Sequence, residues 1–348
     1  MMSVESDKDF RANSRSPAFG RQRIGVGIAL ACGLVLAVVF SLSGDAPPRK
    51  SSVASTAQKE LAVEKSKPIK IKAHSTDRLA DHFDRLGYTL AKVRDGLIDV
   101  PRVLPDSVPG DIGDIQDAKE RKRLFLRMIL PLALVINDTI LQDRARIERY
   151  HAKVEAGETL KARERTWLED RFAEYKVDYG DFKSLLYRVD IVPVSLVLAQ
   201  AAVESGWGTS RFAREGNALF GQWTWAKDNT EGIVPENRAE GKTHKIKAFQ
   251  EPVDAVASYM RNLNTHRAYR ELRQRRAALR NTDSEITGTI LAEGLEAYSE
   301  KGYAYVKLIK QIIRTNNLAP LDKADLAPTR PDLPRVTRAD RPAQDTRS

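Results

Sequence analysis

The chain has 348 residues, 42% apolar and 7% aromatic, enough for one large domain or two modest ones. Its single cysteine, Cys32, excludes an intramolecular disulfide and a thiolate metal site, and five histidines scattered without ligand spacing argue against a catalytic zinc. A formal charge of +10 invites a polyanionic partner, but the basic run at 266–276 reads as a solvated helix face, so a nucleic-acid binder is not the expectation.

Residues 24–44 carry no charge and are long enough to cross a bilayer as one helix. Arg11, Arg15, Arg21 and Arg23 precede them and favour a cytoplasmic tail over 1–23. The expectation is an inner-membrane anchor with the rest of the chain in the periplasm. The alternative is a signal peptide, cleaved on export. In that compartment a basic surface suits an anionic envelope polymer better than DNA. Residues 45–75, rich in Ser, Ala, Lys and Pro, read as a flexible linker.

A helical region is expected over 76–185. Apolar spacing from Leu79 to Leu97 predicts a helix over 76–100, closed by Pro101, Pro105 and Pro109. The apolar run at 124–136 is too short to span a membrane and contains Arg127 and Pro131, so it predicts a buried helix. The charged stretch 144–175 predicts another helix, with Trp167, Leu168 and Phe172 as packing contacts.

A further domain is expected over 186–320. An almost wholly apolar helix starts near Pro193, runs through Leu196, Leu198 and Val203, and stops on Gly206. Such a helix is buried on most sides. Glu204 sits in its last turn, where the helix dipole and the loss of water both disfavour the charged carboxylate. A carboxyl with a raised pKa is what general acid catalysis near neutrality needs. Trp207, Phe212, Phe220, Trp223 and Trp225 follow closely, and aromatic faces are platforms for sugar rings as well as core filler. Between 225 and 249 the glycines and the alternation of 243–249 predict a hairpin. Helices resume from Pro252 and again near 303–314, and 321–348 read as a disordered tail.

The stretch QAAVESGWGTS at 200–210, followed by NALFGQW at 217–223, resembles the glucosaminidase domain of bacterial peptidoglycan hydrolases, glycoside hydrolase family 73. The likeness is nearest to the Bax-type branch, through LLYRVDIVP at 185–193, SYMRNLN at 258–264 and AYSEKG at 297–302. It covers residues 120–320. The resemblance implies a mainly α, lysozyme-like lobe with a small β-hairpin insertion; the helical region and the single transmembrane helix read above would precede it. It also implies cleavage of the β-1,4 bond between N-acetylglucosamine and N-acetylmuramic acid, with peptidoglycan glycan strands as substrate and no cofactor.

In that family a second acidic residue lies on the hairpin lobe. Glu240 is the candidate here, with Glu231 and Glu236 as fallbacks. Tyr298 matches a family tyrosine lining the cleft. Trp207, Asn217, Phe220, Gln222 and Trp223 are the candidate substrate contacts. Water activated by Glu240, or attack by the substrate's own acetamido group, remain alternative second steps. A lytic transglycosylase and a non-catalytic cell-wall binding module are the rival readings. Nothing in the sequence sets an oligomeric state.

Overall fold

Strand β1 (Ile69–Ile71) is the first element of the computed structural model, which describes residues 68–224, 231–236 and 243–328. The expected cytoplasmic tail (1–23) and membrane helix (24–44) lie outside the described residues, as do 329–348. Two short helices follow, α1 (Thr76–Arg85) capped by Ser75 and α2 (Leu90–Arg94) capped by Thr89. The single helix expected over 76–100 is therefore split. Gly87, at φ +62°, reverses the chain between the two caps. Strand β2 (Val103–Pro105) then pairs in parallel with β1.

Helix α3 (Ala118–Glu155) is the spine of the molecule. The Asp117 side chain accepts from the Lys119 N–H at 2.8 Å and starts it. Every residue from Leu124 to Ala133 is buried, Pro131 included. An internal proline forfeits a helix hydrogen bond and costs about 3 kcal/mol or more. Burial of that apolar run offsets it, so the run at 124–136 and the first part of 144–175 form one continuous helix. Among the described helices α3 alone is long and apolar enough to cross a membrane, yet 67% of its most apolar stretch is buried within the protein. Helices α4 (Ala162–Glu174) and α5 (Phe182–Arg188) pack back against its C-terminal third.

Helix α6 (Val194–Ser205) packs on α3, with Pro193 as its N-cap and Gly206 as its left-handed C-cap, as the sequence predicts. Helix α7 (Arg211–Gly216) and the strands β3 (Trp223–Thr224), β4 (Gly232–Ile233) and β5 (Lys245–Lys247) follow. The expected hairpin is a three-stranded antiparallel sheet in the order β3-β5-β4.

The chain closes with α8 (Pro252–Thr265), α9 (Arg270–Asn281), α10 (Gly288–Leu291) and α11 (Tyr303–Thr315). Short 3-10 segments at Ala292–Tyr298 and Ala319–Lys323 flank the last helix. The architecture is mainly α, with two small sheets among the described residues.

Two expectations are corrected here. The basic run at 266–276 is not simply a solvated face, because Arg273 and Arg276 on α9 are 3% and 1% exposed. Arg276 donates to the carbonyls of Asp190 and Ile191 at 3.0 and 2.7 Å and to Asn264 Oδ1 at 2.7 Å. Those carbonyls belong to the segment entering α6, which no helix or strand would otherwise satisfy. The expected tail is also ordered over its first residues. Leu321 is buried, and Asp322 accepts from the N–H and hydroxyl of Ser195 at 2.8 and 2.7 Å.

Candidate active site

Glu204 owes its position to the abrupt end of α6. Gly206, Trp207 and Gly208 all adopt positive φ (59°, 61° and 80°), and the Gly206 and Trp207 N–H groups both bond back to the Ala202 carbonyl. A left-handed tryptophan costs roughly 1–2 kcal/mol. Its ring meets Phe125 of α3 edge-on at 6.0 Å, with the Lys122 ammonium 4.9 Å from its centre. A Cβ at Gly208 would come within 3.0 Å of the Phe125 ring, so only glycine lets the turn lie this close to α3. The Ser205 hydroxyl donates to the Ala201 carbonyl at 2.6 Å and accepts from the Gly208 N–H at 2.9 Å. The ESGWG sequence at 204–208 is thus a stop that clamps the acid-bearing turn onto the spine helix.

The half-buried Glu204 faces a box of tyrosines. Tyr305 on α11 donates to Glu204 Oε1 at 2.7 Å and accepts from Gln200 Nε2 at 3.0 Å. Gln200 Oε1 in turn accepts from Tyr259 on α8 at 2.5 Å. Gln200 and Glu204 are four residues apart and share one face of α6. Around them Phe220 stacks on Tyr259 at 3.9 Å, and Tyr298 stacks on Tyr305 at 5.3 Å. The Tyr298 hydroxyl donates to the Phe220 carbonyl at 3.4 Å. Tyr269 completes the wall, 5.8 Å from Tyr298.

Burial pushes the Glu204 carboxyl above its ordinary range; the Tyr305 hydrogen bond and the Lys301 charge pull it part of the way back. The phenols of Tyr259, Tyr269, Tyr298 and Tyr305 are all pushed up, first by burial and then by neighbours that include Glu204. The site therefore holds one acid that retains its proton to higher pH, among hydroxyls that do not ionise. That is the arrangement a general acid needs.

The structure brings Glu204, Phe220 and Tyr298 together. Trp207 adjoins them in the chain, but its ring is occupied by Phe125 and Lys122. Asn217 is spent on loop ties: its amide accepts from the Val108 N–H at 3.0 Å and donates to the carbonyls of Phe249 and Gln250 at 3.2 and 3.0 Å. Gln222 is half-buried, and its Oε1 lacks a hydrogen bond among the described residues. Trp223 is 58% exposed, with its ring stacked on His244 at 4.5 Å. Glu240 lies outside the described residues. Of its fallbacks, Glu231 is exposed and Glu236 pairs with Arg211 at 3.2 Å on the surface. Among the described residues no cluster of His, Cys, Asp and Glu is placed to hold a metal.

Gln200, Tyr259, Tyr269 and Tyr305 were not singled out from the sequence. Gln200 sits inside the motif, four residues before the acid, which is the available clue. The tyrosines read only as apolar positions on later helices.

The family model described as mannosyl-glycoprotein endo-beta-N-acetylglucosaminidase matches residues 180–318. Protein bax of Escherichia coli strain K12 is 36% identical over 201 residues, covering 56% of this chain and 69% of that protein. The catalytic domain of the autolysin Auto from Listeria monocytogenes aligns over 50% of this chain and 96% of that one. Its TM-score is 0.30 and its identity 15%, too distant to bear on the site. Membership supports a peptidoglycan-degrading glycoside hydrolase. With the motif pair folded around a desolvated acid and a relative matched over 69% of its length at 36% identity, the chain belongs to the glucosaminidase family, in its Bax-type branch.

Proposed function

We propose that the protein is a β-N-acetylglucosaminidase that cleaves the β-1,4 bond between N-acetylglucosamine and N-acetylmuramic acid in peptidoglycan, with Glu204 as general acid. The observation that carries this reading is the tyrosine-walled, desolvated carboxyl at the end of α6, held by Tyr305 through Oε1 at 2.7 Å. Glu204 gives its proton to the glycosidic oxygen as the C1–O bond breaks and its electron pair leaves with that oxygen. The sugar then carries oxocarbenium character. Tyr298 and Phe220 form the wall beside it. Trp223, largely exposed at the surface, is the aromatic suited to a sugar ring. Glu240 activates water for the second step, or the substrate's own acetamido group attacks C1.

A membrane helix at 24–44 would hold this domain in the periplasm beside its substrate, and the positive charge of the chain favours encounter with carboxylate-bearing strands. General acid catalysis is typically worth ~10²–10⁴-fold, so hydrolysis by Glu204→Gln is expected to fall by that much in a turbidity assay on purified cell walls. A loss smaller than about tenfold removes Glu204 from the role.

A further inference from the structure

Tyr305, Gln200 and Tyr259 lie in a line behind Glu204, and each hydrogen bond constrains the next. A phenol has one proton to give. Tyr305 gives its own to Glu204 Oε1 at 2.7 Å, so towards Gln200 it can only accept, and Gln200 presents its amide nitrogen at 3.0 Å. That orientation turns Gln200 Oε1 to Tyr259, whose hydroxyl donates to it at 2.5 Å. Gln200 is 0% exposed and Tyr259 1%, so neither has water to fall back on. Reversing the amide would leave the Tyr259 hydroxyl without an acceptor among the described residues, and an unsatisfied buried donor is strongly disfavoured. The reversed amide would also draw the Tyr305 proton away from Glu204. Tyr305 would then accept from the acid, and the proton of Glu204 would be tied up inside the protein.

We propose that Tyr259, Gln200 and Tyr305 form a hydrogen-bond relay that makes Glu204 Oε1 an obligate acceptor and so keeps the acid proton on Oε2. The relay rests on the reading of Glu204 as the general acid. It orders the proton rather than conducting it, because burial keeps both phenols protonated through the working range. Oε2 has no hydrogen-bond partner among the described residues, and it is the one left to meet the glycosidic oxygen. The groups whose charge or dipole acts on Glu204 are Lys301, from the loop before α11, and the hydroxyls of Tyr259, Tyr269, Tyr298 and Tyr305. Tyr259 and Gln200 are positioning residues: neither hydrogen-bonds Glu204, and they order its proton through Tyr305.

The test follows the Glu204 carboxyl by carbon NMR across pH in the full chain, assigned against Glu204→Gln, together with kcat and KM at each pH. Tyr305→Phe removes the hydrogen bond that favours the charged form. Its Glu204 midpoint is expected to rise by roughly one unit, and kcat to fall about tenfold with KM unchanged. Tyr259→Phe touches neither Glu204 nor substrate, but it frees the Gln200 amide to turn. Its midpoint is expected to move the same way by less, with a severalfold loss of kcat. If Tyr305→Phe does not fold, Tyr259→Phe carries the same two readouts. A midpoint unmoved in the folded variants overturns the relay, as does a lower melting temperature with an unchanged pH profile. If Glu204→Gln keeps its turnover, the acid assignment fails instead, while the midpoint shifts still measure the relay by themselves.

Discussion

Burial holds the Glu204 carboxyl above its ordinary pKa, and this has a sign for stability as well as for catalysis. A group whose folded pKa is raised stabilises the fold while protonated. That contribution is complete below the unfolded value near 4.3 and is lost as pH rises through the folded one. At pH 7 the ionised acid is therefore a cost that glutamine does not carry. Glu204→Gln is expected to melt at or above the wild-type temperature at pH 7, with the difference closing by about pH 4, in thermal scans at the two pH values. A variant that melts lower at both would mean that the carboxylate is held by partners beyond Tyr305. The acid was legible in the sequence because everything that makes it one is local: an apolar helix, its last turn and a glycine stop. Tyr305 was not, because it meets Glu204 from 101 positions later on a helix whose pattern shows only an apolar stripe. Asn217 misled for the opposite reason. A polar side chain inside a binding motif looks like a ligand contact, but here it ties down the loops at Val108 and Phe249.

The entry to helix α6 is fixed by polar and charged groups that a linear pattern does not pair. Asn137 on α3 brackets Val192, donating to its carbonyl at 2.8 Å and accepting from its N–H at 3.0 Å. Asp190 is 3% exposed; Arg280 reaches it at 2.7 Å, and the Nε of the buried Arg276 lies 3.7 Å from it. Burial pushes the Asp190 carboxyl up, but the Arg280 hydrogen bond and the charges of Arg276, Arg280 and Arg144 outweigh it and hold it below the usual range. Burial likewise lowers Arg276 to about 10, against the pull of Asp190. Removing one member of such a buried pair typically costs ~3–5 kcal/mol. Arg276→Met is expected to lose about that much in urea unfolding at pH 7, leaving the Ile191 carbonyl without its donor and the Asp190 carbonyl with Asn264 alone. Asp190→Asn tests the sign of the linkage. A depressed folded pKa contributes stability above the unfolded value, near 3.9, and loses it as pH falls through the folded value. The gap between Asp190→Asn and wild type is expected to narrow below about pH 4, and a gap that widens in acid would contradict the pairing. The basic run on α9 looked like a solvated face because charge counting does not reveal which carbonyls an arginine will reach.

All the described residues belong to one compact unit, and α3 runs beneath the turn that carries the acid. Phe125 and Ile112 close on Gly208, and the Val108 N–H binds Asn217, so segments well before the family-matched residues 180–318 hold the site in place. A helix as apolar all round as α6 needs cover on every side. Residues 180–318 expressed alone are therefore expected to lack a cooperative thermal transition and near-ultraviolet circular dichroism, whereas 68–328 should show both. A sharply melting 180–318 fragment would show α3 to be dispensable. The helices around the site were readable from periodicity. The split of 76–100 and the continuity of α3 were not, because they turn on one glycine cap and one buried proline. The most direct test of the central claim is mass spectrometry of reduced fragments from purified peptidoglycan digested by the full chain. The account predicts new reducing ends on N-acetylglucosamine with the wild type and almost none with Glu204→Gln. Anhydro-muramic ends, or equal release by the two proteins, would contradict it.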